Sequence, residues 1–447
     1  MKLNKKLFLL GAMIPAVSAL SVVAVSCNNG TDKKDATPAE VIEMVKKLTN
    51  EDKNKLIHAL DVKGILTQDE AANLINTLNK DAAQIGSIVW YIKSAESRIG
   101  REQDYALAKI KFDNLIKDAT SKWDLGKVEK TTGLVKNPDT DKFIPVVYMD
   151  IDETVLSNDF TESRAMTVGG YKPADKENYD LKGVRKATPG AIAFINHVFD
   201  KGGVVMYNSD MNQPETVRKA VKENLIKAGV KKEYVQDWQF WMRGSVPYKA
   251  ADPEKEKKIE EWSKMTPEQA AKVTKEEISA LTNDLKFGKE FRKMPWIGWP
   301  SSDMAYNIGK LVFKNQRMNA TSENTEGWDL GTTGADKVKF RVAMKIGDNF
   351  NDFFDEASKK QSNDDRVALY ESKDAAMKDL FLNPEGSKGR KYDAETKKWS
   401  DLEWKQSYQL ITGNSEYGGW LDPYGYKNTY LELWKAIKEI IKDPKDL

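Results

Sequence analysis

One stretch, from Val146 to Leu156, limits the folds open to this chain more than any other part of it. Its first residues are apolar and mostly β-branched or aromatic, and the run stops abruptly at two acids, Asp150 and Asp152. This pattern predicts a buried parallel strand that delivers both carboxylates to its C-terminal edge, where open α/β sheets hold their chemistry. Two carboxylates this close repel each other, so the pair predicts a divalent cation, a phosphate site, or both.

The chain after this stretch alternates between strand and helix patterns, as a parallel sheet requires. A helix begins after Thr188-Pro189-Gly190, and an apolar strand at residues 204–207 follows it and ends at Asn208 and Ser209. A further strand at residues 340–346 ends in Gly347-Asp348-Asn349, and Asp352 follows within one helical turn of Asp348. We therefore predict an α/β fold with a doubly wound parallel sheet and polar side chains at its edge.

The scarcity of two residue types excludes several mechanisms. The chain has 1 Cys and 2 His, whereas thiol phosphatases need a cysteine nucleophile, histidine phosphatases need a reactive His pair, and zinc hydrolases usually need several His ligands. Only carboxylates and hydroxyls remain for covalent chemistry. The formal net charge of +2 gives no indication of a nucleic-acid partner.

The N-terminus has the pattern of a secretory signal. A basic start is followed by an uncharged apolar run at residues 7–25 and by Ser26 and Cys27, the single cysteine of the chain. This arrangement resembles a bacterial lipobox, in which Cys27 would become the lipidated N-terminus. The alternative is an uncleaved membrane anchor with an incidental cysteine. Both interpretations predict a membrane-tethered protein whose remainder lies outside the cytoplasm.

The acidic motifs carry a family resemblance. The pattern Asp150-x-Asp152-Glu153-Thr154-x-Leu156 resembles the nucleophile motif of the haloacid dehalogenase (HAD) superfamily, and more narrowly that of the class C acid phosphatases, the lipoprotein e 5'-nucleotidase group. The segment Gly347-Asp348-Asn349-x-x-Asp352-Phe353 is similar to the last motif of that group, and Tyr417-Gly418-Gly419-Trp420 is similar to its C-terminal segment. The resemblance implies a HAD-like, Rossmann-like sheet with a mostly helical cap built from N-terminal helices and a large insertion.

The same resemblance implies roles for the acids. Asp150 would attack phosphorus and form an aspartyl-phosphate, while Asp152 would protonate the leaving group and later activate water. Mg²⁺ would be held by the side chains of Asp150 and Asp348 with the backbone carbonyl of Asp152. Asp352 would support these ligands from behind them. Tyr417 would take part in stacking on the base of a nucleotide substrate.

Two phosphate-binding positions are less regular than in the resembled group. Where class C members have a pattern closer to Thr-Asn-Arg, this chain has Asn208 and Ser209, and either side chain can donate a hydrogen bond to phosphate. The third motif is a lysine, and residues 311–314 look like a strand that ends in Lys314. We therefore favour Lys314 as this cation, with Lys249 and Arg243 as competitors.

These patterns divide the chain into segments. We predict a signal peptide at residues 1–27, a flexible tether at 28–40, an N-terminal helical region covering the core at 41–135, a phosphatase core at 142–242 and 339–447, and an insertion or cap at 243–338. A calcium loop at Asp150 is excluded, because an EF-hand needs Gly at its sixth position and Glu at its twelfth, where this chain has Val155 and Thr161.

The sequence thus predicts a lipid-anchored surface phosphomonoesterase that uses Mg²⁺ and acts on small phosphate esters. The resemblance suggests nucleoside monophosphates as substrates. The alternative is a surface adhesin or binding lipoprotein on a degenerate phosphatase scaffold, which the altered second motif and the large insertion keep open. The full set of four acids argues against that alternative, because an inactive site has no reason to hold so many carboxylates together.

Overall fold

A computed structural model describes residues 86–168, 171–413 and 415 of this chain, together with residues 43, 47 and 48. Its long described segments lie within one compact unit, Gly86–Trp420. Cys27, the tether, Tyr417 and almost all of residues 41–85 lie outside the described residues, so the predictions that concern them stay predictions. Among the helices that the structure describes, none combines the length and the apolar character that crossing a bilayer requires.

The described part of the chain contains seven strands in two sheets. The larger sheet has the order β2-β1-β5-β7-β6, in which the first four strands are parallel and β6 pairs antiparallel with β7. The smaller sheet is the antiparallel pair of β3 and β4. The strands are β1 (Ile144–Met149), β2 (Val204–Tyr207), β3 (Tyr248–Ala250), β4 (Phe287–Phe291), β5 (Phe340–Gly347), β6 (Ser387–Asp393) and β7 (Lys398–Leu410).

Helices cover the larger sheet and fill the connections between its strands. Those before the insertion are α1 (Ala95–Leu115), α2 (Asp159–Val168), α3 (Pro173–Asp180), α4 (Ala191–Asp200) and α5 (Glu215–Ala228). Those of the insertion are α6 (Pro253–Ser263), α7 (Pro267–Ala270), α8 (Lys275–Asn283), α9 (Ser302–Gly309) and α10 (Lys314–Glu323). After β5 come α11 (Asn351–Ser358), α12 (Asn363–Glu371) and α13 (Met377–Leu382).

The predicted parallel α/β sheet is confirmed. All six residues of β1 and all four of β2 are buried, as expected of strands covered by helices on both faces. Helix α4 buries one apolar stripe that includes Phe194, Ile195 and Val198, which is the spacing of an amphipathic helix. The predicted return of the chain to the sheet near residue 240 is also present, as a parallel bridge between Tyr207 and Phe240.

Helix α1 is tied to the chain around the predicted nucleophile. The Tyr105 hydroxyl donates a hydrogen bond to the backbone oxygen of Thr154 at 2.6 Å. Farther along the helix, the buried Lys111 ammonium donates to the backbone oxygen of Tyr408 at 2.8 Å. The carboxylate of Asp104 accepts hydrogen bonds from the amide and the hydroxyl of Thr412. Helix α1 therefore supports the backbone at the carboxyl edge of the sheet.

The insertion has a hydrophobic core of its own, separate from the core around the sheet. Its helices α6 and α8 contribute Ile259, Trp262, Ile278 and Leu281, and α9 adds further apolar side chains. The highly charged sequence of residues 252–286 predicts helices, and α6, α7 and α8 confirm this prediction. The insertion returns the chain to the sheet through α10, which packs against β5.

Two local predictions were wrong. Residues 311–313 form a turn rather than a strand, and Lys314 is the first residue of α10. A short apolar run does not distinguish a strand from the entry to a helix, because both can be buried. The polar stretch from Ser157 to Arg185 carries Gly169-Gly170 and Pro173, and these residues predict an irregular excursion over the sheet edge, yet the stretch contains α2 and α3. Its polar surface hid the helical pattern.

Candidate active site

The chain turns sharply where β1 ends. The backbone amides of Val155 and Leu156 both donate to the carbonyl oxygen of Ile151, at 2.9 and 2.8 Å. Glu153 has a φ of 60°, in the left-handed region that residues other than glycine rarely adopt. At the start of the turn, the amide of Asp150 donates to the carbonyl of Ile346 in β5. The loop is thereby fastened to the strand that carries the second acidic motif.

Lys314 reaches the predicted nucleophile from α10. Its ammonium lies 2.6 Å from Oδ1 of Asp150 and 2.7 Å from Oδ1 of Asp352, and all three side chains are buried. The two competing cations lie elsewhere, since Lys249 pairs with Glu290 and Arg243 pairs with Asp210. Lys314 is thus the candidate cation that the structure brings to Asp150.

Three carboxylates meet beside this lysine. Asp150, Asp348 and Asp352 each offer an oxygen atom, and these oxygens all lie within 4.8 Å of one another. The Thr154 hydroxyl donates to Asp348 at 3.0 Å, and Oδ2 of Asp352 accepts the amide of Asn349 at 3.0 Å. The sequence predicted a supporting place for Asp352 behind the ligands, whereas the structure brings it into the same cluster.

A close neighbour explains why residue 347, directly before Asp348, is a glycine. A β-carbon at Gly347 would collide with the side chain of Asp352. The strand can therefore pass close to this carboxylate only when residue 347 has no side chain. Gly347 is thus needed for the approach of α11 to the end of β5.

The cluster is electrostatically unbalanced in the direction that favours a cation. Burial raises the pKa of Asp150 to about 7, with further increases from Asp352 and Asp152, although Lys314 opposes them. Burial and the neighbouring acids raise the pKa of Asp348 well above its usual value. Burial would lower the pKa of Lys314, but Asp150, Asp352 and Asp210 together raise it, so this ammonium stays charged. The Lys314 ammonium contacts two of the three acids, and oxygen-only donors of this kind fit Mg²⁺.

Asp152 lies in a different environment. Its Oδ1 is 2.7 Å from Nη2 of Arg185 and 3.1 Å from the ammonium of Lys176. Although burial would raise it, Lys176 and Arg185 together lower the pKa of Asp152 to about 2. The same two cations also pair with the buried Asp180, at 2.6 and 3.2 Å. Asp152 is therefore held as a carboxylate.

Arg185 also fixes the backbone of the turn. Its Nη2 donates to the carbonyl of Leu156 at 2.6 Å, and its Nε donates to that of Ser157 at 3.1 Å. Arg185 and Lys176 were not predicted as site residues, because both lie in the polar stretch from Ser157 to Arg185, which has no clear helical pattern. The spacing of Lys176 and Asp180, four residues apart, was the available signal of a helix there.

The two candidate phosphate-binding side chains differ in position. Nδ2 of Asn208 donates to the carbonyl of Lys314 at 3.0 Å, and its buried Oδ1 has no hydrogen-bond partner among the described residues. Ser209 is also buried, and its hydroxyl accepts the amide of Met211 at 3.1 Å within its own loop. Asn208 therefore lies directly beside the candidate cation, whereas Ser209 is engaged in local structure.

A second group of cations surrounds the next residue of this loop. The carboxylate of Asp210 lies 3.1 Å from Arg243, 3.5 Å from Arg317 and 3.7 Å from Lys359. Burial would raise the pKa of Asp210, but Lys314 and these neighbours hold it well below its usual value. This is where the structure places Arg243, at the loop after β2 rather than at Asp150.

Two comparisons relate this chain to known acid phosphatases. Residues 105–269 match the family model described as HAD superfamily, subfamily IIIB (Acid phosphatase). Similar solved structures include the class C acid phosphatase from Bacillus anthracis and the same enzyme with tungstate bound. Each of these two is 16% identical, covers 81% of this chain and 98% of that chain, and has a TM-score of 0.41. No curated protein matches the sequence significantly.

The family resemblance predicted from the motifs is confirmed by the family match. Residues 105–269 are similar to the acid phosphatase domain of HAD subfamily IIIB, and this similarity identifies the protein as a phosphomonoesterase. The matched segment contains the Asp150 loop, α2, α3 and the loop after β2. Lys314 and the Asp348 motif lie beyond it, and the fold brings both of them to that loop.

Proposed function

We propose that this phosphomonoesterase hydrolyses nucleoside 5'-monophosphates or closely related phosphate esters, with Mg²⁺, on the outer face of a cell membrane. The observation that carries the chemistry is the contact between the Lys314 ammonium and Asp150 inside a cluster of three acids. A cation that touches the nucleophile also neutralises the phosphate that the nucleophile must approach. This arrangement supports attack by a carboxylate on phosphorus.

In the first half of the reaction, a carboxylate oxygen of Asp150 forms a bond to phosphorus while the bond to the leaving oxygen breaks. The product is an aspartyl-phosphate and an alcohol or phenol. Lys314 holds the phosphoryl oxygens, and Asn208 can donate to them once its amide leaves the Lys314 carbonyl. Both groups stabilise the negative charge that the transferring phosphoryl group carries.

In the second half, water opens the aspartyl-phosphate and restores Asp150. Asp152, kept ionised by Arg185 and Lys176, is suited to accept the proton of this water. In the first half, Asp152 must instead carry a proton that it can give to the leaving alkoxide. Lys176 and Arg185 oppose this, because they favour the ionised form of Asp152. We therefore expect leaving groups that need no proton to depart faster than alkoxides.

The residues present fit Mg²⁺, which the resemblance implies. Asp150 and Asp348 would hold it with the backbone carbonyl of Asp152, and Asp352 is close enough to take part. When bound, the metal ion supplies positive charge that screens the repulsion between the carboxylate and the phosphate. Burial and the neighbouring acids raise the pKa values of Asp150 and Asp348, and a bound cation would favour the ionised form of both carboxyl groups.

The cellular place and the nucleotide preference rest on the sequence. The lipobox at Cys27 supports a lipid anchor, and the segment Tyr417-Gly418-Gly419-Trp420 supports a stacked base. In this proposal the enzyme removes phosphate outside the cytoplasm, so that the uncharged product can be taken up. Replacing Cys27 by Ala should move the protein from the membrane pellet to the soluble fraction and abolish incorporation of labelled fatty acid.

A single assay tests the chemistry. The full-length chain, purified in detergent, is incubated with a panel of 5'-mononucleotides and with p-nitrophenyl phosphate, in Mg²⁺ and in EDTA. Release of phosphate that EDTA stops, with the highest kcat/KM for one or more nucleotides, is the expected result. Release from p-nitrophenyl phosphate alone would remove the nucleotide proposal and leave the phosphatase. A folded, Mg²⁺-replete sample that releases nothing would favour the adhesin or binding lipoprotein.

A further inference from the structure

Helix α10, which begins with the candidate cation, receives its N-terminal cap from a different helix. The backbone amides of Lys314 and Asn315 each donate a 2.8 Å hydrogen bond to the carboxylate of Asp355, on α11. The first amides of a helix have no partner within the helix, and a carboxylate at this end is favoured. The residue before the helix, Phe313, has no side-chain acceptor of its own. Asp355 supplies what the local sequence lacks.

A break in α11 allows this contact. Phe354 has φ −148° and ψ 62°, which is not helical, and Asp355 follows directly after it. The buried Lys345 ammonium donates to the carbonyl of Phe353 at 2.8 Å and to Oδ1 of Asn315 at 3.3 Å. The carbonyl next to the break therefore has a partner, and the same lysine joins α11 to the start of α10.

We propose that Asp355 is a positioning residue that fixes the backbone of Lys314, so that the Lys314 ammonium reaches Asp150 and the bound phosphate. Helix α11 then holds this lysine twice, because Asp352 contacts its ammonium and Asp355 contacts its backbone. A lysine side chain has four rotatable bonds, so a fixed backbone limits the volume that its ammonium explores. The proposal rests on the proposed phosphatase function for the role of Lys314.

The charges around Asp355 suit this role. Burial raises its pKa, while the hydrogen bonds from Asn315 and Lys314 and the charge of Arg317 favour the ionised form. Only 3% of the residue is exposed. Both oxygens of this buried carboxylate accept hydrogen bonds from the first two amides of α10. The side chain therefore interacts with that helix rather than with solvent.

The first test compares matched variants. Asp355→Ala removes both acceptors, and Asp355→Asn keeps one of them. As a control, Asp252→Ala removes the carboxylate that accepts from Glu254 and Lys255 at the start of α6, inside the insertion. We expect kcat/KM for p-nitrophenyl phosphate to fall about ten- to a hundredfold in Asp355→Ala, less in Asp355→Asn, and not in the control. An unchanged kcat/KM in Asp355→Ala would overturn the proposal.

A double-mutant cycle separates positioning from general damage to the fold. In the Lys314→Met background, the substitution Asp355→Ala should cost less than about twofold in kcat/KM, because the group it positions is gone. The same loss in both backgrounds would show that Asp355 acts through the fold as a whole, and would overturn the proposal.

A readout that needs no activity completes the test. Amide hydrogen exchange at Lys314 and Asn315 should be faster in Asp355→Ala than in the unmodified chain, with no change at the start of α6. If exchange at these two amides stays slow in Asp355→Ala, Asp355 does not hold the backbone of Lys314 and the proposal is overturned. If the unmodified chain releases no phosphate, the proposed function fails on that result, while exchange still reports whether Asp355 holds the backbone of Lys314.

Discussion

Asp150 and Asp152 are two residues apart in one tight loop, and their surroundings push their proton affinities in opposite directions. On the Asp150 side, three acids meet beside an ammonium that contacts two of them, and burial raises the pKa of Asp150 to about 7. On the Asp152 side, two acids share a lysine and an arginine, and the pKa of Asp152 falls to about 2. Identical side chains are thus prepared for different tasks by their neighbours alone.

The difference assigns a partner to each side. The Asp150 side gathers three acids, so it is the side on which the proposed Mg²⁺ would bind. The Asp152 side is already balanced by Lys176 and Arg185, which come from the segment over the sheet edge. In the proposed function, the side chains that would hold the metal ion and the side chain that would transfer the proton therefore have different charged neighbours.

The largest effect on activity is expected when the proposed nucleophile, Asp150, is replaced. Asp150→Asn should lower kcat by about 10⁴-fold or more, because an amide cannot attack phosphorus. The fold should be kept, since the change removes one of three crowded acids. Steady-state kinetics with thermal unfolding measures both quantities, and Asp139→Asn, at an exposed ion pair with Lys127, is the control. Turnover in Asp150→Asn comparable to the unmodified enzyme would contradict the mechanism.

Removing the cation of that side should cost activity and stability together. Lys314→Met leaves the buried carboxylates of Asp150 and Asp352 without the ammonium that contacts both, so we expect a loss of about 3–5 kcal/mol in the free energy of unfolding at pH 7. The kcat should fall by about 10²- to 10³-fold. Urea unfolding with and without Mg²⁺ provides the check. Mg²⁺ should recover part of the lost stability, and an equal loss in both conditions would argue against a metal at these acids.

The two sides should also give opposite slopes of stability against pH. The folded pKa of Asp152 is below its unfolded value, so its contribution is complete above pH 4 and is lost between about pH 4 and 2. A shift of this size is worth about 2 kcal/mol. The folded pKa of Asp150 is raised, so stability falls as pH rises from about 4 to 7 in Mg²⁺-free buffer.

Urea unfolding of two variants across pH separates these slopes. Asp152→Asn should flatten the curve below pH 4, and Asp150→Asn should flatten it between pH 4 and 7. Because the test of Lys314→Met uses the same urea unfolding assay, its result can be compared directly with these slopes. If the stability of a variant still changes with pH in the range assigned to the replaced residue, another group causes that pH dependence.

The smallest effect concerns the leaving group. Lys176→Met removes one of the two cations on Asp152, which should raise its pKa and restore its proton. The ratio of kcat/KM for p-nitrophenyl phosphate to that for an alkyl phosphate should therefore fall, by about tenfold. Lys219→Met, at an exposed ion pair with Glu215, is the matched control. An unchanged ratio would show that Lys176 does not govern the proton on Asp152.

The sequence predicted the parts of the site that follow strands. The runs before Asp150 and Asp348 are apolar throughout, and buried parallel strands have this pattern whatever surrounds them. Their C-terminal ends must meet at one edge, so the two acids were predictable as neighbours. The same reasoning predicted α4 and β2, whose periodicity and turn residues are strong.

The rest depended on contacts between distant segments. Lys314 was chosen for its charge and place in the chain, yet the apolar run before it is a turn into α10. Arg185 and Lys176 belong to a polar stretch whose helices become ordered by buried ion pairs rather than by an apolar stripe. Asp355 looked like one more acid on a helix. Its role as a cap for α10 can be recognised only when the structure shows the amide of Lys314 beside it.

The apolar side chains of the insertion are divided between two cores, and this division sets what the insertion can tolerate. Those of α6, α8 and α9 pack on one another, so a substitution among them should cost stability within the insertion and leave the sheet in place. Trp296, Trp328 and Val338 pack in the core around the sheet, so a change there disturbs the scaffold that carries Asp150. An engineer who wished to shorten the insertion would therefore cut among α6, α8 and α9 and keep the segments that join it to the sheet.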